Sequence, residues 1–350
     1  MTGSHQYFTW SEIHDQPRAL DLIRKNLSYA EWTDTLSAAN YDRILLSGCG
    51  SSYYLSMIAA HTFSTLLGRR AGAAPLSELL FYPEVYLNDE TETLVFVTSR
   101  TGETTEALRV VKALKTKPHA KTVTLTCYET SQLARLGDYQ LVITVGKEES
   151  VVMTKAFSCI LLTLTYIAYQ SAGKKWPESV ERIPAIIQES LTKNGPLIQA
   201  IAMESSLKNF AFLGSGPFYG LACEAMLKIK EMASVPATAF HTLEFRHGPK
   251  AALSEDTLVV IFVSEKEKFH LKSLLEEVRG AGAKIFMIGH RLSKSLLKYC
   301  DYQVSFPHKL EAHLYPIVYA HLMQLLGYWK AIALGLNPDQ PRHLSKVVLL

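Results

Sequence analysis

Ser99-Arg100-Thr101-Gly102-Glu103-Thr104 brings hydroxyls, a guanidinium and a glycine together in one short run. Just before it, Leu94, Val95, Phe96 and Val97 are apolar and rich in β-branched and aromatic types, the pattern of a buried strand. Just after it, Ala107, Leu108, Val111 and Leu114 recur at helical spacing. A strand that turns into a helix aims backbone N–H groups and the positive end of the helix dipole at one spot, which suits a phosphate. The turn is not a Walker loop, because no Gly-Lys-Ser/Thr follows, and it is not GxGxxG. The competing reading is an ordinary βα turn capped by Ser or Thr.

Two other groups could do chemistry. Glu224, Lys228 and Glu231 are spaced by four and three, so a helix would carry them on one face among apolar Leu221, Ala225, Leu227 and Met232. A carboxylate held beside an ammonium and partly desolvated can act as a general base; a solvated ion-pair face is the alternative. His247 precedes Gly248-Pro249, a turn signal that keeps it off a regular helix. It could act as acid or base near neutral pH, or be a loop histidine capped by its neighbours. His241 and His247 lack further ligands at a known metal spacing. Near the end, Asn337-Pro338 and Pro341 stop a helix, and the apolar finish Val347 to Leu350 suggests a tail that packs back and places Lys346.

The elements that must position these groups occur twice. Arg43–Gly50 resembles Asn209–Gly216, Thr93–Val97 resembles Thr257–Ile261, Thr122–Leu125 parallels Lys284–Met287, and Asp138–Val142 resembles Asp301–Ser305. The four pairs are collinear at one offset of about 162 to 166 residues, which argues for a duplicated strand–helix unit. Amphipathic stretches such as Thr104–Lys115 and Leu271–Ala281 alternate with the strands, which predicts α/β architecture with parallel sheets covered on both faces. Ligands in such sheets sit at the carboxyl ends of strands, where the Gly48–Ser52, Gly214–Gly216 and Ser99 turns fall. At the N-terminus, Thr9 and Glu12 fit a capping box, and a second helix is expected over Arg18–Ser28.

Composition narrows the function classes. The chain has 350 residues, 48% hydrophobic and 20% charged, enough for one large or two medium domains. A net charge of +3 points to neither a nucleic-acid nor a membrane partner. The five cysteines are scattered, as expected of reduced core thiols in a cytoplasmic protein. No signal peptide is visible at the start. Ala156–Ala172 and Leu314–Leu336 are long apolar stretches read as buried helices, the second at a subunit interface.

Taken together, CGSSYY (49–54), SRTGETTE (99–106), TKAF (154–157), EAMLKIKE (224–231), EFRHGP (244–249) and DQPRHLSK (339–346) resemble, in order, the tandem sugar isomerase (SIS) domain family. They resemble in particular the isomerase half of glucosamine-6-phosphate synthase and the type II amino-sugar-phosphate deaminases. The resemblance implies two SIS domains, each a flavodoxin-like three-layer αβα sandwich. It divides the chain into an N-terminal helical segment (1–40), a first SIS domain with the phosphosugar cradle (41–175), a helical linker (176–206), a second SIS domain (207–336) and a tail closing the active site (337–350).

It also implies roles. Ser52, Ser99, Arg100, Thr101 and Thr104 would hold the sugar phosphate, and Val151 and Thr154 would line the pocket. Glu231 would move a proton between carbons 1 and 2. His247 would assist ring opening, reaching a neighbouring subunit's site in a homodimer. Lys346 would contact the open-chain sugar or form a Schiff base, and Lys228 would support the sugar hydroxyls or Glu231. No cofactor or metal is implied. The chain departs from the synthases: position 2 is Thr and no glutaminase domain precedes the first SIS strand, Arg100 stands where they have Gln, and Met153 where they have Ser. These departures favour a phosphorylated amino sugar as substrate and conversion of glucosamine 6-phosphate to fructose 6-phosphate and ammonia. The alternatives are a 6-phospho-fructosamine deglycase, a galactosamine-6-phosphate deaminase or ketose–aldose isomerase, and a non-catalytic phosphosugar sensor.

Overall fold

The structure, a computed structural model, describes residues 7–27, 37–87 and 90–348. It contains two parallel five-stranded sheets of the same topology. The first holds β1 (Arg43–Gly48), β2 (Ala71–Pro75), β3 (Thr93–Thr98), β4 (Ala120–Thr126) and β5 (Tyr139–Val142), in the order β2-β1-β3-β4-β5. The second holds β6 (Asn209–Gly214), β7 (Ala237–Phe240), β8 (Thr257–Val263), β9 (Lys284–His290) and β10 (Tyr302–Phe306), in the order β10-β9-β8-β6-β7. Every pairing is parallel. Strands β3 and β8 are buried along their whole length, because helices cover both faces, and their near-continuous apolar runs follow from that.

The covering helices are α1 (Phe8–Leu27), α2 (Ser51–Leu67), the short α3 (Leu76–Phe81) and α4 (Pro83–Tyr86), α5 (Thr105–Leu114), α6 (Lys155–Ser171), α7 (Ile183–Met203), α8 (Pro217–Ala233), α9 (Lys272–Gly280), the short α10 (Lys294–Leu297) and α11 (Tyr315–Ala333). The duplication read from the sequence extends to side-chain detail. Asp138 Oδ2 accepts the Thr122 amide at 2.8 Å, and Asp301 Oδ2 accepts the Ile285 amide at 2.8 Å. Helices α2 and α8 both start after a glycine with positive φ, Gly50 at 53° and Gly216 at 60°, a conformation that side chains disfavour. These two helices pack against each other, so the helix following the first strand of each half forms the seam between halves.

Three expectations are corrected. No capping box forms at Thr9 and Glu12, and no second helix starts at Arg18: α1 runs unbroken from Phe8. Its cap is Asp339, whose carboxylate accepts the Phe8 and Thr9 amides at 2.7 Å each and the Thr9 hydroxyl at 2.6 Å. Pro17 lies inside α1, and its missing N–H is replaced at the Ile13 carbonyl by Gln16 Nε2 at 3.1 Å, so the helix continues. Ser28, the expected end of the second helix, lies outside the described residues.

The expected linker is largely α7, whose buried face packs on α11 and α1. Helix α11 itself, expected at a subunit interface, is buried by α7, α8, α1 and α6 of its own chain. Several of its polar side chains find partners within the chain. His321 pairs with Ser190 Oγ at 2.9 Å, Gln324 accepts from Gln16 and donates to the Thr154 carbonyl, and Lys330 donates to the Glu204 and Leu207 carbonyls. None of the described helices is long and apolar enough to cross a membrane.

Candidate active site

A cleft of about 210 Å³ opens at the carboxyl ends of β1 and β3, where the strand order of the first sheet reverses direction. Ser51 and Ser52 reach it from the start of α2, and Ser99, Arg100, Thr101 and Thr104 from the turn between β3 and α5. Val151 and Met153 come from the loop before α6, Glu231 from α8 of the second half, and Lys346 and Val348 from the tail. The sequence motifs that lie far apart in the chain therefore converge here. A larger hollow of about 800 Å³ lies between α1, α7 and α11, but its wall, with Trp10, Leu191, Leu325 and Trp329, is mainly apolar and holds no acid–base cluster.

The β3–α5 turn decides between the two readings of its hydroxyls. Thr104 is the N-cap of α5, yet its side chain makes no capping bond. Its Oγ1 instead lies 2.9 Å from Ser99 Oγ, which also accepts the Gly102 amide at 3.1 Å. The hydroxyls of Ser99, Thr101 and Thr104 thus border the cleft at a helix N-terminus. The Thr105 amide there donates to the Val348 carbonyl at 3.4 Å, so the tail lies over the mouth of the cradle.

On the opposite wall, Lys228 sits fully buried between two carboxylates of its own helix. Its Nζ is 3.3 Å from Glu224 Oε1 and 2.7 Å from Glu231 Oε2. It also donates to Ser51 Oγ and the Met153 carbonyl, both at 3.1 Å. Burial alone would lower the lysine's pKa, but Glu224 and Glu231 outweigh it and the pKa is raised. Glu224 has the harder position: burial, reinforced by Glu231, pushes its pKa up to about 7 despite Lys228 and the Ser51 hydroxyl. Glu231, with 21% of its side chain exposed, is the carboxylate that meets the cleft. Lys228 does not line the cleft and meets it only by way of its contact with Glu231.

Two predicted pocket residues do something else. Arg100 borders the cleft, but its guanidinium is not a free cation for a phosphate. Nη1 contacts Glu148 Oε2 at 2.9 Å and the Val152 carbonyl at 3.0 Å, and Nη2 contacts the Val151 carbonyl at 2.7 Å. Thr154 lies behind the wall, its amide and hydroxyl both donating to Glu148 Oε1 at 2.8 Å. The physical reason is Glu148, whose wholly buried carboxylate takes the Arg100, Thr154 and Ala156 donors. Lys346 Nζ donates to the Glu148 carbonyl and lies over the Tyr128 ring at 5.7 Å. The tail around it is exposed at Leu344 and Val348, and Leu349 and Leu350 lie outside the described residues.

His247 is not brought into this cleft. It is exposed on the turn after β7, and its amide donates to the Glu244 carbonyl at 2.9 Å. The turn is anchored to α9 by Glu277, which pairs with Arg246 at 2.6 Å and Lys250 at 2.8 Å; these partners pull its pKa down to about 2. Sequence reasoning missed Glu148 and Glu106. Glu106 borders the cleft with a buried Oε2 that has no hydrogen-bond partner among the described residues, and its place on the first turn of α5 was a usable signal. Glu148 offered none, because its partners lie elsewhere in the fold. Among the described residues, no three His, Cys, Asp or Glu side chains group as a metal would require.

A duplicated flavodoxin-like sheet with this cleft at its switch point defines the class: the chain belongs to the SIS domain family, which matches residues 37–170 and 205–334. Among curated relatives, the glutamine–fructose-6-phosphate aminotransferase (isomerizing) of Methanothermobacter thermautotrophicus is 29% identical over 99% of this chain and 58% of its own. That of Pyrococcus horikoshii is 30% identical over 99% of this chain and 58% of its own. The chain therefore spans under two thirds of the length of these relatives. Among solved structures, glucosamine-6-phosphate deaminase from Thermotoga maritima aligns with a TM-score of 0.83 at 33% identity, over 98% of this chain and 100% of that one. Tagatose-6-phosphate ketose/aldose isomerase from Escherichia coli shares the fold, with a TM-score of 0.85 at 23% identity over 97% of this chain and 96% of that one.

Two outcomes follow from the buried charges. Arg100→Ala leaves Glu148 buried without its cation and should destabilise the protein by about 3–5 kcal/mol in denaturant titration; a loss below about 1 kcal/mol would show the pair to be dispensable. For Glu224, the folded pKa of about 7 exceeds the ordinary value of 4.5, so folding takes up a proton and stability falls as pH rises across that window. Glu224→Gln removes this fall. Its melting temperature relative to the native protein should therefore rise from about pH 5 to about pH 8, and a pH-independent difference would contradict the shift.

Proposed function

We propose that the protein is an amino-sugar-phosphate deaminase that isomerises its substrate, taking glucosamine 6-phosphate and water to fructose 6-phosphate and ammonia. The observation that carries this reading is one small cleft with hydroxyls at a helix N-terminus on one wall and the Lys228-paired Glu231 carboxylate on the other. Two further points support deamination over transfer of an amide nitrogen. The Thermotoga maritima deaminase is 33% identical to this chain, whereas the two aminotransferases are 29% and 30% identical. Met153 borders the cleft where the synthases carry a serine.

In this reading, Ser52, Ser99, Thr101 and Thr104 hold the phosphate by hydrogen bonds, with the α5 N-terminus adding its dipole. Ring opening exposes the C1 aldehyde. Glu231 takes the C2 proton, the C2–H electron pair forms a C1=C2 double bond, and the C1=O π pair moves to O1, which takes a proton from water, giving an enolamine. Protonation at C1 by Glu231 leaves an imine at C2. Water adds to the imine, ammonia departs, and the C2 ketone remains. The substrate's own carbonyl and amine serve as the electron sink, so the route calls for no cofactor. Lys228 keeps its proton and holds Glu231 in place. Lys346 is in reach of the open-chain sugar on the tail side. His247, exposed and outside its own cleft, is assigned to ring opening in a second copy of the chain, which makes the active species a homodimer.

Glu231→Gln should lower kcat by about 10²–10⁴-fold in an ammonia-release assay with glucosamine 6-phosphate; release at the native rate would refute the mechanism. Galactosamine 6-phosphate and a 6-phospho-fructosamine belong in the same assay, and product from one of these instead would reassign the substrate. For the shared site, Glu231→Gln and His247→Ala chains are refolded together. Each is expected to be inactive alone and the mixture to regain a fraction of native activity, whereas no regain would place His247 outside a partner's site.

A further inference from the structure

The loop between β5 and α6 supplies Val151 and Met153 to the cleft, and its main chain is held almost atom by atom. Lys346 donates to the Glu148 carbonyl, Arg100 to the Val151 and Val152 carbonyls, and Lys228 to the Met153 carbonyl. Those contacts come from residues of the site itself. The loop's amides are held from a different direction. The Glu149 amide donates to Glu12 Oε1 at 2.5 Å, the Ser150 amide to the same oxygen at 3.2 Å, and the Ser150 hydroxyl to Glu12 Oε2. The Val151 amide donates to the carbonyl of Asp339, the residue whose carboxylate caps α1. Helix α1 thus grips the loop twice, once through Glu12 and once through its own cap.

Glu12 is a costly residue for a merely structural role. It is 7% exposed, and its hydrogen bonds among the described residues all go to Glu149 and Ser150. A like charge, Glu148, raises its pKa further beyond the effect of burial, and among the described residues no ion pair offsets it. A buried carboxylate without a cation is expensive, and two amides with a hydroxyl are what offset that cost here. We infer that Glu12, on a helix outside both sheets, is a positioning residue of the active site that sets the 148–153 loop against the tail lysine and Glu231. This rests on the phosphosugar reading for its catalytic consequence, but not for its structural one.

The test pairs activity with exchange. In Glu12→Ala, kcat with glucosamine 6-phosphate should fall about 10–100-fold, because small misplacements of the reacting geometry are that costly. KM should stay within about threefold, because the phosphate hydroxyls stand on α2 and the 99–104 turn, outside the 148–153 loop itself. Glu12→Gln keeps an oxygen for the two amides and can donate to Ser150 Oγ, so it should retain near-native kcat. Arg18→Ala, exposed on the same helix, serves as the unaffected control. Hydrogen exchange should find the Glu149 and Ser150 amides protected in the native protein and in Glu12→Gln, and exposed in Glu12→Ala. If Glu12→Ala does not fold, Ser150→Ala removes one contact and should give a smaller fall in kcat at constant KM. Native kcat in either alanine variant, an equal rise in KM, or unprotected amides in the native protein would overturn the inference. If the native chain releases no ammonia from any phosphosugar, the functional reading fails, and the exchange comparison alone decides the role of Glu12.

Discussion

The buried ion pair between Arg100 and Glu148 is the constraint on which the site's architecture depends. It joins the end of β3 to the loop that leads into α6, two segments that must meet for the cleft to have a wall. Burying two charges is expensive, and their mutual attraction repays it only when the remaining donors and acceptors are filled. Here they are: Arg100 also contacts two carbonyls, and Glu148 also takes the Thr154 and Ala156 donors. One consequence is chemical. With the guanidinium committed to the protein, phosphate recognition in the proposed reaction falls to hydroxyls, backbone amides and a helix dipole, groups whose strength does not vary with pH in the neutral range.

The two halves of the duplicated chain divide the work. The first retains the hydroxyl-bearing turn after β3. The equivalent stretch after β8, Phe262-Val263-Ser264-Glu265-Lys266-Glu267, has lost that pattern. The second half instead sends α8 alongside α2, and the junction is polar at one place: Ser51 of α2 bonds both Lys228 and Glu224 of α8. In the proposed reaction the general base and the anion cradle therefore come from different copies of the same unit, and the seam between the copies positions them. Glu224, whose pKa burial pushes up to about 7, shares Lys228 with Glu231.

Much of this was legible in the sequence, for reasons of range. Strand runs, helix faces and the repeat are local patterns, so β1, β3–β6, β8–β10, the Glu224–Lys228–Glu231 face and the Ser99 turn could be read from spacing alone, whereas the short, partly buried β2 and β7 carry no such run. What escaped reading depends on partners distant in sequence. Nothing local says that Arg100 meets Glu148, that Asp339 caps α1, or that Glu12 reaches Ser150. The same limit explains the misreading of α11. Its apolarity was visible, but whether another chain or its own α7 and α8 would cover it was not. The second helix expected from Arg18 is instead the continuation of α1, since Gln16 fills the hydrogen bond that Pro17 leaves open.

The account's central claim is that the hydroxyl cradle and Glu231 serve one substrate at once. A crystal structure of the Glu231→Gln protein with glucosamine 6-phosphate bound tests it most directly. The account predicts the phosphate within hydrogen-bond distance of Ser99, Thr101 and Thr104, with C1 and C2 about 3–3.5 Å from the Gln side chain that replaces Glu231. A sugar bound with its phosphate elsewhere, or with C1 and C2 turned away from α8, would contradict it.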